Sequence, residues 1–364
     1  MPAGPAKNAA SPEITTSLRA LRITQLHGGR ALELVYYHDP HRNFGDDLNA
    51  TLWNRILPEA VRASNRLVLI GIGSILNEGI VGRYARSDRN VAVLGTGLSY
   101  GVPPKDIAGW SILAVRGPLT AAAIGRPDAA VTDGAALLAA SDMVPSRTGE
   151  GRVLFMPHHK SLNDSDWPAV ARAAGVDYVD PRAPVAETLA QFGRARLVLA
   201  EAMHAAIVAD TLRIPWVPLQ ISPAMDRFKW TDWTSSLDLP FEPLPIGYSS
   251  SDEMIVHRRL RRSMAPQPIF GEEHRHPEIL QRYLEERFGR ASASLSPPQP
   301  SPRFLGIRRG IKASLRIANS FHRARASAAL AKAAESTAYL SDDRVFGRRL
   351  DQLQVAVRAL ETLA

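Results

Sequence analysis

Leu197-Val198-Leu199-Ala200-Glu201-Ala202-Met203-His204-Ala205-Ala206-Ile207-Val208-Ala209-Asp210, followed by Ile214-Pro215-Trp216-Val217-Pro218, decides the fold. A short apolar run ends in polar residues, a small-residue run of helical length follows, and a second apolar run closes the unit. This reads as strand, helix and strand, with Glu201 and His204 at the carboxyl end of the first strand. Ligands of open α/β sheets bind outside those ends, so an acid and an imidazole stand where such folds do chemistry.

The same alternation extends in both directions. Strands are predicted at Arg152–Met156, Val176–Val179, Arg196–Leu199 and Trp216–Val217, with helices at Trp167–Ala174, Val185–Phe192 and Met203–Leu212. Upstream of a polar break at Ser141–Gly151, strands are predicted at Leu32–Tyr37, Leu67–Ile72, Val91–Leu94, Ile112–Val115 and Ala129–Thr132. Helical patterns at Asp47–Leu57, Ile80–Tyr84 and Gly117–Ile124 lie between them. Strands alternating with helices argue for parallel sheets. The expected class is therefore α/β, with two Rossmann-like domains facing across a cleft in a GT-B-like arrangement and a helical C-terminal extension. The expected boundaries are a flexible arm (1–31), an N-terminal domain (32–145), a C-terminal domain (146–250), helices closing the pair (251–295), a Pro-rich linker (296–302) and a basic helical tail (303–364).

The 364 residues are 45% apolar, enough for two such domains with extensions. There is no Cys, which excludes disulfides, thiolate catalysis and Cys-ligated metal centres. Met1–Gly29 lacks an apolar leader core, and the longest apolar run, Leu67–Leu76, is too short to cross a bilayer. The expectation is a cytoplasmic protein. The net charge is +8, but Arg303–Ala364 alone holds 12 Lys and Arg against 5 Asp and Glu. A nucleic-acid groove in the globular part is thus not indicated. In the tail, Phe304, Ile307, Ile311, Leu315 and Ala318 recur at helical spacing among Arg308, Arg309, Lys312, Arg316, Arg323 and Arg325. Such a basic amphipathic helix either lies on an anionic membrane surface, making the protein peripheral to the inner face of the cell membrane, or packs on the first domain with its cations in water.

Six constellations carry candidate chemistry. In Asn43-Phe44-Gly45-Asp46-Asp47-Leu48-Asn49, Asp46 or Asp47 either caps the following helix or faces the cleft to take a proton from a substrate hydroxyl, and two adjacent Asp allow both. Gly45 permits a tight turn or close approach to a ligand. Gly71-Ile72-Gly73-Ser74 and Gly95-Thr96-Gly97-Leu98-Ser99 follow strands and either present backbone N–H groups to an anion or let a helix pack closely. Arg116, in Val115-Arg116-Gly117-Pro118-Leu119-Thr120, holds a phosphate or carboxylate, or else forms an inter-domain salt bridge. Asp133, in Thr132-Asp133-Gly134-Ala135, is a helix cap at a strand end that faces the same cleft as Asn43. Met156-Pro157-His158-His159-Lys160 offers cations to an anionic ligand or is a solvated turn. Its adjacent His residues point in different directions and do not form a zinc pair. Glu201 and His204 complete the set. A His at a helix entry is disfavoured as imidazolium by the helix dipole, leaving a neutral donor to an anion or a titratable acid.

Taken in order, these motifs, with Ile214-Pro215, resemble the polysaccharide pyruvyl transferase family over roughly residues 32–220. The Glu201-Ala202-Met203-His204 version is similar to the exopolysaccharide (succinoglycan-type) ketal pyruvate transferases. The resemblance implies phosphoenolpyruvate as co-substrate, without a further cofactor or a metal, and a lipid-linked oligosaccharide or polysaccharide acceptor that receives a pyruvate ketal. Many relatives carry an Arg shortly before this His, whereas the present sequence reads Ala200-Glu201-Ala202-Met203. Anion binding then falls to Arg116, Lys160, His158 and His204 with the turns at Gly73, Ser74 and Gly97. Proton transfer falls to His204 or Glu201 and to Asp46 or Asp47. The competing readings are a GT-B glycosyltransferase using a nucleotide sugar and a non-catalytic scaffold of exopolysaccharide assembly.

Overall fold

The computed structural model describes residues 18–22, 31–84, 87–99, 101–264, 266–271, 274, 276–289 and 312–364. Its first half runs β1 (Leu18–Arg22), β2 (Glu33–Tyr37), α1 (Phe44–Ile56), α2 (Glu59–Arg62), β3 (Leu67–Ile70), α3 (Glu78–Tyr84), β4 (Asn90–Thr96), β5 (Ser111–Val115) and α4 (Pro118–Ala123). The second half runs β6 (Arg152–Met156), α5 (Trp167–Ala174), β7 (Asp177–Tyr178), α6 (Val185–Gly193), β8 (Ala195–Ala200), α7 (Met203–Thr211), β9 (Trp216–Gln220), α8 (Arg227–Ser236) and β10 (Leu244–Pro245). Four helices follow: α9 (Ser251–Ser263), α10 (Pro277–Gly289), α11 (Lys312–Ala333) and α12 (Asp343–Ala359).

Each half builds a five-stranded sheet. In the first, β2 to β5 are parallel in sequence order. Alternate residues point to opposite faces of a strand. Leu34, Tyr36, Leu67, Leu69, Ala92 and Leu94 therefore meet Leu48, Leu52 and Trp53 of α1, while Val35, Val68, Ile70, Val91 and Val93 meet Ile80 and Val81 of α3. The second sheet has the order β7-β6-β8-β9-β10, all parallel. In chain order this is 2-1-3-4-5, so the winding direction reverses between β6 and β8, the crevice position of doubly wound sheets. The loop leaving β6 carries His158, and the helix start after β8 carries His204. One face of this sheet packs on α5 and α11, with Phe155, Leu199 and Leu219 against Trp167, Val170 and Leu330. The other face joins the core of the first half through α6 and α7. Phe44 of α1 stacks on Phe192 of α6 at 6.2 Å, and its N–H donates to Pro181 O at 2.8 Å.

Four differences from the sequence reading have physical causes. Part of the expected arm is β1, an antiparallel partner of β2; residues 1–17 and 23–30 lie outside the described residues. Ala129–Thr132 makes a single parallel bridge, Val115 to Ala130, because Pro127 opens a 3-10 turn just before it and cannot donate to a ladder. Helix α8 was not foreseen. It buries Phe228, Trp230 and Trp233 together with Asp232, Thr234 and Ser236, so it shows no amphipathic stripe.

The fourth difference concerns the tail. Residues 303–311 and the expected linker lie outside the described residues, but α11 and α12 are part of the cores. Trp216 and Tyr339 exchange both backbone hydrogen bonds, at 2.9 and 2.7 Å. Asp210 accepts from Trp216 Nε1 and Ser341 N, each at 2.9 Å. Phe346, Leu353 and Leu360 of the closing segment are buried in the core that covers the first sheet. Helix α10 closes over Leu98, Leu119 and Phe228 with Tyr283, Leu284 and Phe288. No helix among the described residues is long and apolar enough to cross a membrane. If α12 is a core element, Leu353→Ala lowers the unfolding free energy by about 2–5 kcal/mol in urea titrations; a change near zero would show the tail to be dispensable packing.

Candidate functional site

Three helix starts meet where the halves touch: α1 at Phe44, α7 at Met203 and a 3-10 helix at Gly134–Ala140. Free N–H groups and helix dipoles make such starts attractive to anions. Neither Asp46 nor Asp47 caps α1; extended Asn43 holds the cap position, and both Asp residues lie in the first turn. Asn43 Nδ2 donates to Asp46 Oδ2 at 2.6 Å, and Arg42 Nε donates to Asp47 Oδ2 at 3.2 Å near the surface. Buried Asn49 ties the helix to the Gly71–Ser74 turn: its Nδ2 donates to Asp46 O and Ile72 O, and its Oδ1 accepts from Ile72 N and Trp53 Nε1.

His204, in the first turn of α7, packs against α1 at Gly45. A Cβ on Gly45 would sit 1.9 Å from His204 Nδ1, so the ring requires glycine there. Its Nε2 is 4.0 Å from Asp133 Oδ1. Asp133 caps the 3-10 helix by accepting from Ala135 N at 2.9 Å. His204 Nε2 and Asp133 Oδ2 are buried without hydrogen-bond partners among the described residues. Unpaired buried polar atoms are costly, by about 1–3 kcal/mol each, and two of them on neighbouring side chains call for an explanation such as a bound group.

Glu201 and His158 stand beside this centre in different roles from those expected. Glu201 is buried and holds three loops together. Its Oε2 accepts from His158 N at 2.8 Å, while Oε1 accepts from Ser161 Oγ at 3.0 Å and Ser222 N at 2.9 Å. With both oxygens so used, Glu201 ties together the loops after β6, β8 and β9, and burial raises its titration above the ordinary carboxylate value. His158 Nδ1 accepts from Lys160 N at 3.3 Å, and Lys160 itself is exposed. His159, absent from the expected set, has Nε2 3.2 Å from Asp39 Oδ2 across the two halves.

Arg116 sits behind the site. It is fully buried, its Nε donates to Asp232 Oδ2 at 3.2 Å, its Nη1 to Ser74 Oγ at 2.7 Å and Gly73 O at 3.4 Å, and its Nη2 to Leu98 O. The guanidinium lies against Gly97, where a Cβ would come within 2.4 Å of Cζ. The expected donor-binding set of Arg116, Gly73, Ser74 and Gly97 is thus one cluster bound to itself. Of the two readings offered for Arg116, the geometry is that of the inter-half salt bridge. Its partner Asp232 also caps α4 from outside, accepting from Leu119 N and Thr120 N at 2.9 Å each.

Sequence reasoning missed Lys229 because it is neither at a strand end nor in a motif. It lies three residues before Asp232 on α8, and its charge acts on Asp46, His158, His159 and His204 together. Burial, reinforced by Lys229 and Arg116, pushes the His204 titration down to about 3, so the ring is neutral at physiological pH. Burial pushes Asp46 up to about 7 against the pull of Asn43 and Lys229. It pushes Asp133 up to about 6 against Arg116 and the Ala135 N–H. Burial also lowers the Lys229 titration, against the pull of Asp226 and Asp46. Two carboxyls poised near neutrality thus flank a neutral imidazole and a buried lysine, an arrangement suited to moving protons. No group of three or more metal-ligating side chains occurs among the described residues.

The polysaccharide pyruvyl transferase family model matches residues 146–223. The succinoglycan biosynthesis protein ExoV of Rhizobium meliloti is 34% identical over 227 residues, which is 61% of this chain and 70% of that protein. No solved structure matches the chain significantly.

The Gly45 contact is directly testable. In the wild type, the His204 ring stays neutral from pH 5 to 8 by NMR, as its depressed titration requires. Gly45→Ala displaces the ring and moves that titration toward the ordinary value of about 6.5, with the far-UV circular dichroism unchanged. An unaltered His204 titration would refute the packing.

Proposed function

This chain belongs to the polysaccharide pyruvyl transferase family, and from that premise we propose that it transfers pyruvate from phosphoenolpyruvate to two hydroxyls of one sugar in a lipid-linked exopolysaccharide repeat unit. The product is a pyruvate ketal, with phosphate released. We read the two sheets as the facing domains of a GT-B-like enzyme, with the donor between them. The observation that carries this reading is the meeting of helix starts, Lys229 and a neutral His204 at the junction of the halves.

The donor brings a carboxylate and a phosphate. Lys229 and the N–H groups at the starts of α1 and α7 supply fixed positive potential for them. A dianion against His204, with Asp133 behind the ring at 4.0 Å, reverses the preference for neutral imidazole. The imidazolium therefore forms with donor bound and can protonate C3 of the enol. The first sugar hydroxyl adds to C2 and gives its proton to Asp46. The C2–O bond to phosphate breaks, and the second hydroxyl adds at C2. Of the two hydroxyl protons lost, one replaces that spent on C3 and the other leaves with phosphate. Glu201 and Arg116 position loops, and Asp47 stays paired to Arg42.

Phosphate release from phosphoenolpyruvate in the presence of extracted lipid-linked oligosaccharides, with mass analysis for the pyruvyl group, tests the reading. His204→Ala abolishes release, and Lys229→Met raises the donor KM by about tenfold or more, the scale of one lost charge-assisted hydrogen bond. Stabilisation by nucleotide sugars in place of phosphoenolpyruvate would indicate a glycosyltransferase instead.

The pH dependence follows from Asp46. As a base it acts deprotonated, so the rate rises as pH passes about 7 and is lost below it. Asp46→Asn removes both that limb and most of the turnover. A profile flat from pH 5 to 8 would take Asp46 out of the mechanism.

A further inference from the structure

Helices α9 and α11 lie side by side outside the second sheet. Ser251 N donates to Asn319 Oδ1 at 2.8 Å, and His257 and His322 both pack on Tyr248, with ring centroids 5.6 and 6.1 Å away. Around this join the surface is apolar and cationic together. Phe321 is 58% exposed, Val256 40% and Ile255 38%. Arg258, Arg261, Arg262 and Arg325 are exposed on the same pair of helices. Arg325 Cζ lies 5.6 Å from the Phe321 ring centroid, and both Arg258 and Arg325 act electrostatically on His322. Arg258 of α9 and Arg325 of α11 therefore face a common strip.

Countercharge is scarce along it. No Asp or Glu occurs from Lys312 to Ala334, Glu253 of α9 turns inward to Trp167 Nε1 and Ser249, and Asp252 in the first turn is the one further acid of α9. The catalytic chemistry uses none of these residues. The strip also lies at a defined end of the fold: Arg323 Nη1 donates to Asp166 Oδ2 at 3.1 Å, and Asp166 ends the segment that begins at His158. It flanks the carboxyl end of the second sheet, where the site loops emerge.

An exposed aromatic ring seats at the headgroup boundary of a bilayer, while neighbouring guanidinium groups pair with lipid phosphates. We propose that this strip docks the protein on an anionic phospholipid surface, turning the site loops toward the membrane that holds the acceptor. The inference rests on the lipid-linked acceptor proposed above, and its charge complementarity is to a lipid surface bearing net negative charge.

The test is co-sedimentation of the full chain with vesicles of phosphatidylcholine alone and of phosphatidylcholine with phosphatidylglycerol. The wild type binds the mixed vesicles, releases from them in high salt, and ignores the neutral ones. Arg258→Glu/Phe321→Ala/Arg325→Glu weakens binding by about tenfold or more, as expected for reversing two interfacial charges and deleting one anchor, while stabilisation by phosphoenolpyruvate is unchanged. Should the triple variant melt early, Phe321→Ala alone, at an exposed position, gives the same direction. No wild-type binding, equal binding to neutral vesicles, or equal binding by the variants overturns the proposal. So does a wild-type dimer, seen by light scattering, that the substitutions split, since the strip would then face a second copy. Vesicle binding requires neither donor nor acceptor turnover: a protein that docks but leaves phosphoenolpyruvate intact sinks the catalytic reading and keeps this one, and a protein that releases phosphate but ignores vesicles does the reverse.

Discussion

The buried ion pair between Arg116 and Asp232 is the constraint on which the site depends. Both side chains are fully buried, and a charge left alone at such a place costs about 3–5 kcal/mol. The pair persists because every neighbour completes it: Ser74, Gly73 O and Leu98 O accept from the guanidinium, and Leu119 N, Thr120 N and Thr120 Oγ1 donate to the carboxylate. Two glycines make room. A Cβ on Gly97 would strike the guanidinium, and one on Gly117 would lie 1.9 Å from Asp232 O. Asp232 thus locks α8 against α4, and one helical turn away Lys229 acts electrostatically on Asp46 and His204. The ion pair fixes the helix that carries this lysine.

Much of this was legible in the sequence, and what was not has clear causes. The strands β2 to β6 and β8 are fully or nearly fully apolar runs, so pattern alone located them. His204 was visible because it follows such a run at a helix entry. The importance of Gly45 to His204 was invisible, since the two are brought together by the packing of α1 on α7. Helix α8 was hidden because aromatic and polar residues are buried side by side along it, and with it went Lys229 and Asp232. Arg116 was seen, but its residue type fits an anion site and a buried salt bridge equally. The partner that decides between them lies 116 residues away.

The electrostatics of the junction run against simple charge counting. Burial, reinforced by positive potential from Lys229 and Arg116, disfavours imidazolium at His204, and burial also disfavours carboxylate at Asp46 and Asp133. The unliganded site therefore holds fewer ionised groups than its residue types suggest. In the proposed reaction the dianionic donor changes the protonation of these neighbours as it binds, so that binding and proton placement are one event.

Asn90, at the start of β4, donates its side-chain N–H to Leu363 O, a contact spanning 273 residues. Leu353 and Leu360 roof the same part of the core. During synthesis, then, the first sheet waits with one greasy flank bare until α12 leaves the ribosome. Such long-range closure is slow, and the uncovered flank is prone to aggregation until α12 docks.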